Sequence, residues 1–197
     1  MLPPMDIRFC ALDVETHGGT WQSFPEGFQL VLVGVREGDA FAAYTAEPES
    51  LAQLAGFLDD YPGVVVTYNG GFFDLPVLDW WFQRVLGRPL RVRHHYDLMK
   101  EIEKLAGYRI GLDRLAQYTI GAAKVPWDHR WNERVWAEEP HRLIDYNRVD
   151  VDLTHDLFAR VLRGEQLFLG NTTVTPQAPS LDGADRTTRT NETGRLL

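Results

Sequence analysis

The chain has 197 residues, of which 44% are hydrophobic, so it is long enough for one well-packed domain and too short for two. A single cysteine, no apolar run near the roughly 18 residues of a membrane span, and an N-terminus without a signal-like segment predict a protein of the reducing cytoplasm with no membrane partner. The formal net charge of −8 argues at first against nucleic acid as a partner, because phosphate contacts usually need a basic surface.

The N-terminal third predicts three neighbouring antiparallel strands. Apolar runs of strand length lie at 7–14, 28–35 and 40–45. The break 36–39 (Arg-Glu-Gly-Asp) between the last two runs suits a hairpin connection. Pro48 then opens a helix whose apolar residues recur at positions 51, 54, 55 and 58, and a fourth strand is predicted at 64–68.

The second half of the chain is mainly helical. Helices are predicted at 75–86, 97–106, 112–118 and about 140–163, with a short fifth strand at 90–96. The Trp-rich stretch 125–139 is ambiguous and is interpreted as a loop with a helical turn. The order of elements predicts an α/β fold, a mixed five-stranded sheet flanked by helices. Residues 1–169 would form this domain and 170–197, with almost nothing to bury, a flexible C-terminal tail.

Asp13 and Glu15 end the first predicted strand. Because residues i and i+2 of a strand point to the same face, both carboxylates can reach one site. A surface Asp and Glu at the start of a loop is the common alternative. The buried type of strand and the following segment 16–19 (Thr-His-Gly-Gly) favour a site.

Two roles are open for Asp74, which follows the fourth strand. An Asp before Leu75-Pro76 and an apolar helix is a good N-cap. The glycine pair before it, however, lets the backbone approach a ligand, and Asn69 adds a polar group at the same strand end. Asp97, after the fifth strand, is interpreted as a helix cap.

Tyr146 and Asp150 are four residues apart on a predicted helix, so their side chains lie one above the other. A phenol over a carboxylate can position a water for attack, whereas the alternative is a core-edge Tyr beside an exposed Asp. Trp127, Trp131 and Trp136 are candidates for stacking on bases, although helix packing is commoner for such aromatics. The histidines lack ligand-like neighbours and are assigned structural or surface roles.

These motifs together predict a metal site. Crowded carboxylates repel each other and have raised pKa values unless a cation neutralises them. The predicted ligands are Asp13, Glu15, Asp74 and Asp150, and such oxygen ligands suit two ions of Mg²⁺ or Mn²⁺. Two divalent ions would neutralise half of the formal charge of −8. The basic residues concentrated at 84–124 form either a substrate-facing strip or a solvated surface.

The three motifs resemble a known family. The order Asp13-x-Glu15, Asn69-x3-Phe73-Asp74 and Tyr146-x3-Asp150 is similar to the exonuclease motifs of the DEDD superfamily, in its Tyr-containing (DEDDy) branch, on a ribonuclease H-like fold. The second motif is most similar to that of family-B DNA polymerase proofreading domains and their stand-alone relatives. The branch with His five positions before the last Asp does not fit, because position 145 is Asp. The resemblance covers about 7–163.

The resemblance implies a metal-dependent 3′ to 5′ exonuclease that hydrolyses single-stranded DNA ends and releases nucleoside 5′-phosphates. It implies that Asp13 bridges two metals, that Glu15 and Asp150 complete the site of the metal that activates water, and that Asp74 supports the second. Tyr146 would orient the water. The residues expected to bind the terminal, unpaired nucleotides are Thr16, His17, Asn69 and Phe73.

Other functions stay open from the sequence. An RNA-trimming exonuclease and a ribonuclease H-like endonuclease use the same carboxylates, and no sequence feature decides between DNA and RNA. A non-catalytic nucleic-acid-binding module is less expected, since no carboxylate and no tyrosine of the motifs is missing. Proofreading in trans, repair and turnover are equally open, and a polymerase or repair partner is not identified.

Overall fold

The computed structural model describes residues 7–122, 124 and 126–180. Its main sheet has five strands in the order β3-β2-β1-β4-β5. The strands are β1 (Phe9–His17), β2 (Gln29–Glu37), β3 (Ala40–Thr45), β4 (Val64–Thr67) and β5 (His95–Asp97). The first three pair antiparallel, while β4 is parallel to β1 and β5. The predicted mixed α/β sheet is confirmed.

Among the described residues, six α-helices flank this sheet. They are α1 (Pro48–Asp60), α2 (Asp74–Trp81), α3 (Leu98–Ala106), α4 (Leu112–Ile120), α5 (Asn132–Glu138) and α6 (Pro140–Leu162). A π-helical turn, Phe82–Leu86, continues α2, so the two together match the predicted helix at 75–86. In the part of the chain that the structure describes, no helix has the length and apolar character that a membrane crossing requires.

The central strand β1 is covered on both faces. Cys10, Leu12 and Val14 belong to the apolar core formed with α1 and α2. The alternating residues Asp13 and Glu15 face the opposite side, where they meet side chains of α6 and α5. Because helices cover this face, Glu15 is buried and Asp13 is partly buried.

β1 extends beyond its parallel neighbour. It pairs with β4 only over Phe9–Ala11, opposite Val64–Val66. Past that point β4 ends at Thr67, and the chain leaves the sheet before α2 begins. This step opens a space beside the carboxyl ends of β1 and β4, which is where open α/β sheets hold their ligands.

Two predicted segments differ from the structure. The fifth strand is His95–Asp97 rather than 90–96. Leu90 packs against the core and its backbone N–H donates to Asp79 Oδ1 at 2.8 Å, so the alternating pattern there belongs to a half-buried loop. The predicted loop at 125–139 contains a 3-10 turn, His129–Trp131, followed by the regular helix α5.

The beginning of the predicted tail is packed against the domain. Two short strands, β6 (Leu167–Phe168) and β7 (Thr173–Val174), pair antiparallel. The Tyr96 hydroxyl donates to the backbone carbonyl of Gln177 at 3.0 Å. A flexible tail therefore does not start at residue 170. Residues 181–197, most of the predicted tail, lie outside the described residues, as do 1–6 at the start of the predicted domain.

Candidate active site

Three carboxylates meet at the end of β1. Asp13, Glu15 and Asp150 each offer an oxygen within 4.8 Å of the other two. Glu15 and Asp150 are only 2% and 5% exposed. Within 7–122, 124 and 126–180 this is the one group of acidic, His or Cys side chains with such ligand spacing. Strand β1 and helix α6 thus bring distant parts of the chain to one site.

Asp74 lies beside this group rather than within it. It is the first residue of α2, and Phe73 before it makes no side-chain cap. The Asp74 carboxylate turns towards β1, where its Oδ1 accepts the backbone N–H of Val14 at 2.8 Å. The N-cap role that its position favoured is therefore not the role that the structure shows. The hydrogen bond uses a β1 amide beyond the end of the pairing with β4.

A cavity of about 340 Å³ opens above the carboxylates. Its lining includes all four of them together with apolar and polar neighbours, namely Val14, Thr16, Phe28, Tyr68, Asn69, Phe73 and His129. Of the residues predicted to bind substrate, Thr16, Asn69 and Phe73 therefore line the cavity. His17 does not, and its Nδ1 lies 3.8 Å from Glu133 Oε2.

The loop after β4 places Asn69 in the lining of this cavity. Asn69 has a φ of +70°, which Asn tolerates better than most residues. Its backbone N–H donates to Asp97 Oδ1 at 3.0 Å, and Asp97 also accepts the Lys100 N–H as the predicted cap of α3. Asn69 Oδ1 is buried and has no hydrogen-bond partner among the described residues. The loop therefore holds a buried acceptor that no described protein group satisfies.

The carboxylates carry an electrostatic cost. Burial raises the pKa of Asp13 well above its ordinary value, and the charges of Asp74, Asp150 and Glu15 raise it further. Burial also raises the pKa of Asp74 to about 7, against two backbone hydrogen bonds that lower it. The pKa of Asp150 is raised by burial despite a neighbouring lysine. A bound cation would reverse these shifts by favouring the charged carboxylates.

That lysine is Lys124, whose ammonium group donates to Asp150 Oδ2. The backbone N–H of Lys124 donates to Asp113 Oδ1 at 3.0 Å, which anchors this part of the chain to α4. The other oxygen of Asp150, Oδ1, is buried and has no hydrogen-bond partner in the described part of the molecule. An unpartnered carboxylate oxygen among crowded carboxylates is the donor set that a hard divalent cation fits.

Two buried asparagines hold the carboxylates in place. Asn132 Nδ2 donates to Glu15 Oε2 and to the Thr16 carbonyl, both at 2.9 Å. Its Oδ1 accepts the indole N–H of Trp127 at 2.7 Å. Asn147 Nδ2 donates to Asp13 Oδ2 at 2.8 Å. Each asparagine fixes the orientation of one carboxylate, as partners of metal ligands commonly do.

Tyr146 is packed close behind the carboxylates. It is 8% exposed, and its ring stacks on Trp127 with a centroid distance of 4.6 Å and an interplanar angle of 18°. Burial raises the pKa of the Tyr146 phenol, and Asp150, Glu15 and Asp13 raise it further. The phenol therefore keeps its proton at neutral pH. Trp127, a predicted candidate for stacking on bases, stacks on Tyr146 instead.

The sequence analysis missed several neighbours of the carboxylates. Asn147 carried a signal, because an Asn inside the buried stripe of a helix is a poor helix former and needs a reason. Asn132 carried none, since its segment fits no regular period. His129 was assigned a structural or surface role with the other histidines. Its Nδ1 lies 3.6 Å from Glu15 Oε2, and Glu15 raises the pKa of this imidazole.

Known proteins share the fold of this chain. A family model of the RNase H superfamily matches residues 10–162, which include every carboxylate of the site. The chain belongs to the RNase H superfamily. This confirms the predicted ribonuclease H-like fold. A search of curated proteins finds no match.

A solved structure supports the same fold for this RNase H superfamily chain. The family B DNA polymerase from the hyperthermophilic archaeon Pyrobaculum calidifontis is similar, with a TM-score of 0.63 and 23% sequence identity. The match covers 81% of this chain and 25% of the polymerase chain. The chain thus spans about a quarter of that polymerase's length.

Proposed function

We propose that the protein is a metal-dependent 3′ to 5′ exonuclease of the Tyr-containing type, acting on single-stranded DNA ends. The observation that carries the proposal is the meeting of Asp13, Glu15 and Asp150 at the end of β1, on an RNase H superfamily fold. Asp74 lines the same cavity and Tyr146 packs next to the group. All five residues of the predicted catalytic set are therefore near one another.

The proposed ligands of two Mg²⁺ or Mn²⁺ ions are the four carboxylates. Asp13 would hold both ions, since it lies near all three other carboxylates: burial raises its pKa, and the charges of Asp74, Asp150 and Glu15 raise it further. Glu15 and Asp150 would complete one ion's ligands, and Asp74 the other's. Bound there, the ions would supply Lewis-acid stabilisation of the phosphate charge and a water of lowered pKa.

The chain's own residues would position the substrate. Tyr146 keeps its phenolic proton and so can hold a water oriented towards the phosphorus as a hydrogen-bond donor. Asn69, which lines the cavity, would contact the terminal nucleotide. Phe73 and Thr16, which line the same cavity, would form the clamp for an unpaired terminal base.

The size of the cavity supports an enzyme that acts on ends. At about 340 Å³ it lies at the lower end of the range for small-ligand pockets, about 300 to 1,000 Å³. A single terminal nucleotide suits such a volume, whereas a continuous duplex does not. We therefore expect stepwise release of nucleoside 5′-phosphates from frayed or single-stranded 3′ ends.

The test is digestion of DNA and RNA oligonucleotides labelled at either end, with Mg²⁺, Mn²⁺ or EDTA. We expect mononucleotides from the 3′ end, no product in EDTA, and no activity in Asp13→Asn. The matched control Asp39→Asn changes an exposed carboxylate in the turn between β2 and β3, and should keep full activity. Efficient cutting of single-stranded circles would instead indicate an endonuclease, and faster trimming of RNA than DNA an RNA exonuclease.

A further inference from the structure

Five aromatic rings form a continuous surface next to the cavity. We call this surface the aromatic shelf, and its residues are Trp21, Phe24, Phe28, Phe72 and Phe73. The ring centroid of Trp21 lies 5.4 to 6.0 Å from those of the other four. Phe28 and Phe73 line the cavity, whereas Trp21 is 63% exposed and Phe72 49% exposed. The shelf therefore leads from the carboxylates to the protein surface.

The loop that carries Trp21 is locally braced. Thr20 and Ser23 form a reciprocal capping pair around the short 3-10 turn Trp21–Ser23. Gly27 packs so closely on Ser23 that a Cβ would lie 2.1 Å from the Ser23 hydroxyl. At the end of the loop, the Phe28 carbonyl accepts the indole N–H of Trp81 at 3.0 Å. The exposed rings are thus held in position without being buried. Because the loop is already ordered, binding a ligand loses little further conformational entropy.

A groove continues the shelf away from the carboxylates. It has a volume of about 560 Å³ and includes Phe24, Phe72 and Trp80 in its lining. Charged groups of both signs stand at its edge, since Asp79 also lines it. The Arg84 guanidinium lies 5.1 Å from the Trp80 ring centroid, and a Cβ on the groove residue Gly71 would lie 3.0 Å from the Lys100 ammonium and 3.1 Å from Asp97 Oδ2. The Asp97 carboxylate accepts the backbone N–H groups of Asn69 and Gly71, whereas Arg84 and Lys100 belong to no ion pair among the described residues.

Exposed ring faces with nearby cations suit one class of ligand. Single-stranded nucleic acid offers base faces for stacking and phosphates for the cations, whereas a duplex keeps its base faces covered. The shelf is also continuous with the cavity through Phe28 and Phe73, so a strand ending in the cavity would pass over it. We propose that the aromatic shelf binds the bases of the unpaired nucleotides that precede the terminal one. This inference rests on the proposed function.

The first test measures binding without hydrolysis, in the Asp13→Asn background with EDTA. A 5′-fluorescein oligodeoxythymidylate of about twelve nucleotides is the probe, and fluorescence anisotropy gives the dissociation constant. Trp21→Ala and Phe72→Ala should each raise that constant about 5- to 150-fold, the range for loss of one stacked base. The matched control is Phe168→Ala, which removes a 40% exposed ring outside both cavities and should change nothing.

The second test changes the ligand, so that its first measurement needs no substitution in the shelf. Abasic sites are placed one at a time along the oligonucleotide and measured against the Asp13→Asn protein. Abasic sites next to the terminal nucleotide should weaken binding to the Asp13→Asn protein. When Trp21→Ala is added, the same abasic sites should weaken binding no further, because the ring on which the missing base would stack is already absent. Equal binding of all abasic probes, or an equal loss in both proteins, would overturn the shelf proposal.

The two proposals fail differently. If the unsubstituted protein degrades 3′ ends but Trp21→Ala and Phe72→Ala bind DNA like their parent, only the shelf proposal is wrong. If no condition supports hydrolysis while oligonucleotides still bind through Trp21, the exonuclease proposal fails. Light scattering provides a further check. If the unsubstituted protein has twice the mass of one chain and the Trp21→Ala protein has the mass of one chain, the shelf is a surface for self-association and the shelf proposal is wrong.

Discussion

Two aromatic segments border the candidate active site, and they use their rings in opposite ways. In the aromatic shelf, Trp21 leaves 63% of its surface exposed. In the segment that leads into α5, Trp127 donates its indole N–H to Asn132 and stacks its ring on Tyr146. Asn132 in turn holds Glu15. The first segment is available to a ligand, whereas the second is part of the frame that orients a carboxylate.

This difference teaches that composition does not assign the role of a tryptophan near a site. What matters is whether its indole N–H and its ring faces already have partners within the protein. We call Trp127, Asn132 and Tyr146 the frame. Substitutions in the frame should therefore weaken metal binding and lower the stability of the protein. Substitutions in the aromatic shelf should weaken only the binding of nucleic acid.

The largest effect is expected from breaking the frame at Asn132. Asn132→Leu keeps the approximate shape of the side chain but removes its hydrogen bonds to Glu15 and Thr16. Mn²⁺ affinity measured by titration calorimetry should fall about 10- to 100-fold, the usual cost of losing a partner of a metal ligand. The control Asn171→Leu changes an exposed Asn and should bind Mn²⁺ like the parent. Equal affinity in both variants would show that Asn132 does not orient Glu15.

A smaller loss is expected at Gly34 on β2. A Cβ at this position would lie 1.8 Å from Asn147 Oδ1, so Gly34→Ala must displace the amide that holds Asp13. We expect about a tenfold weaker affinity for Mn²⁺. Gly56→Ala is the control, because nothing lies within 4 Å of its Cβ position in α1. An unchanged Mn²⁺ affinity in Gly34→Ala would mean that Asn147 moves without disturbing Asp13.

The effect of burying the carboxylates on the stability of the protein can be measured separately, at Asp74. Its pKa is about 7 in the folded chain against 3.8 ordinarily, so the folded state binds more protons between these values and loses stability as pH rises through them. Asp74→Asn does not titrate. In EDTA its melting temperature should exceed that of the parent by a few degrees at pH 8 and by clearly less at pH 5. A difference in melting temperature between Asp74→Asn and the parent that is the same at pH 5 and pH 8 would contradict the raised pKa of Asp74.

The smallest effect sharpens the comparison directly. Trp127→Phe keeps a ring against Tyr146 but leaves Asn132 Oδ1 without its donor, which costs about 1 kcal/mol or more of unfolding free energy. That corresponds to a melting temperature lower by about 2 to 4 °C. Trp21→Phe, at an exposed position, should change stability by less than about 0.5 kcal/mol. Equal losses in the two variants would remove the distinction between frame and shelf.

Much of the fold follows from periodic patterns in the sequence. The hairpin of β2 and β3, helix α1 and helix α6 were predicted because their apolar residues repeat at the spacing of each element. The fifth strand was misplaced because Leu90 and Val92 alternate with arginines in a loop that packs on the core. The backbone N–H of Leu90 donates to the Asp79 side chain, a contact that no local sequence pattern shows.

The site was less fully predictable. Asp13, Glu15 and Asp150, which the structure brings within ligand distance of one another, were predicted from their spacing together with the family resemblance of the motifs. The neighbours that hold them were not, since Asn132 and Lys124 reach the site through tertiary packing of a segment without a regular period. Trp21 was missed as well, because its exposure depends on how the loop 18–28 is braced rather than on its sequence neighbours.

The ion pair of Lys124 and Asp150 means that one carboxylate of the site already has a positively charged partner from the chain itself. A divalent ion that binds Asp150 would therefore exchange with the Lys124 ammonium group. The affinity of a divalent ion for this site would then depend on how readily the Lys124 ammonium leaves Asp150.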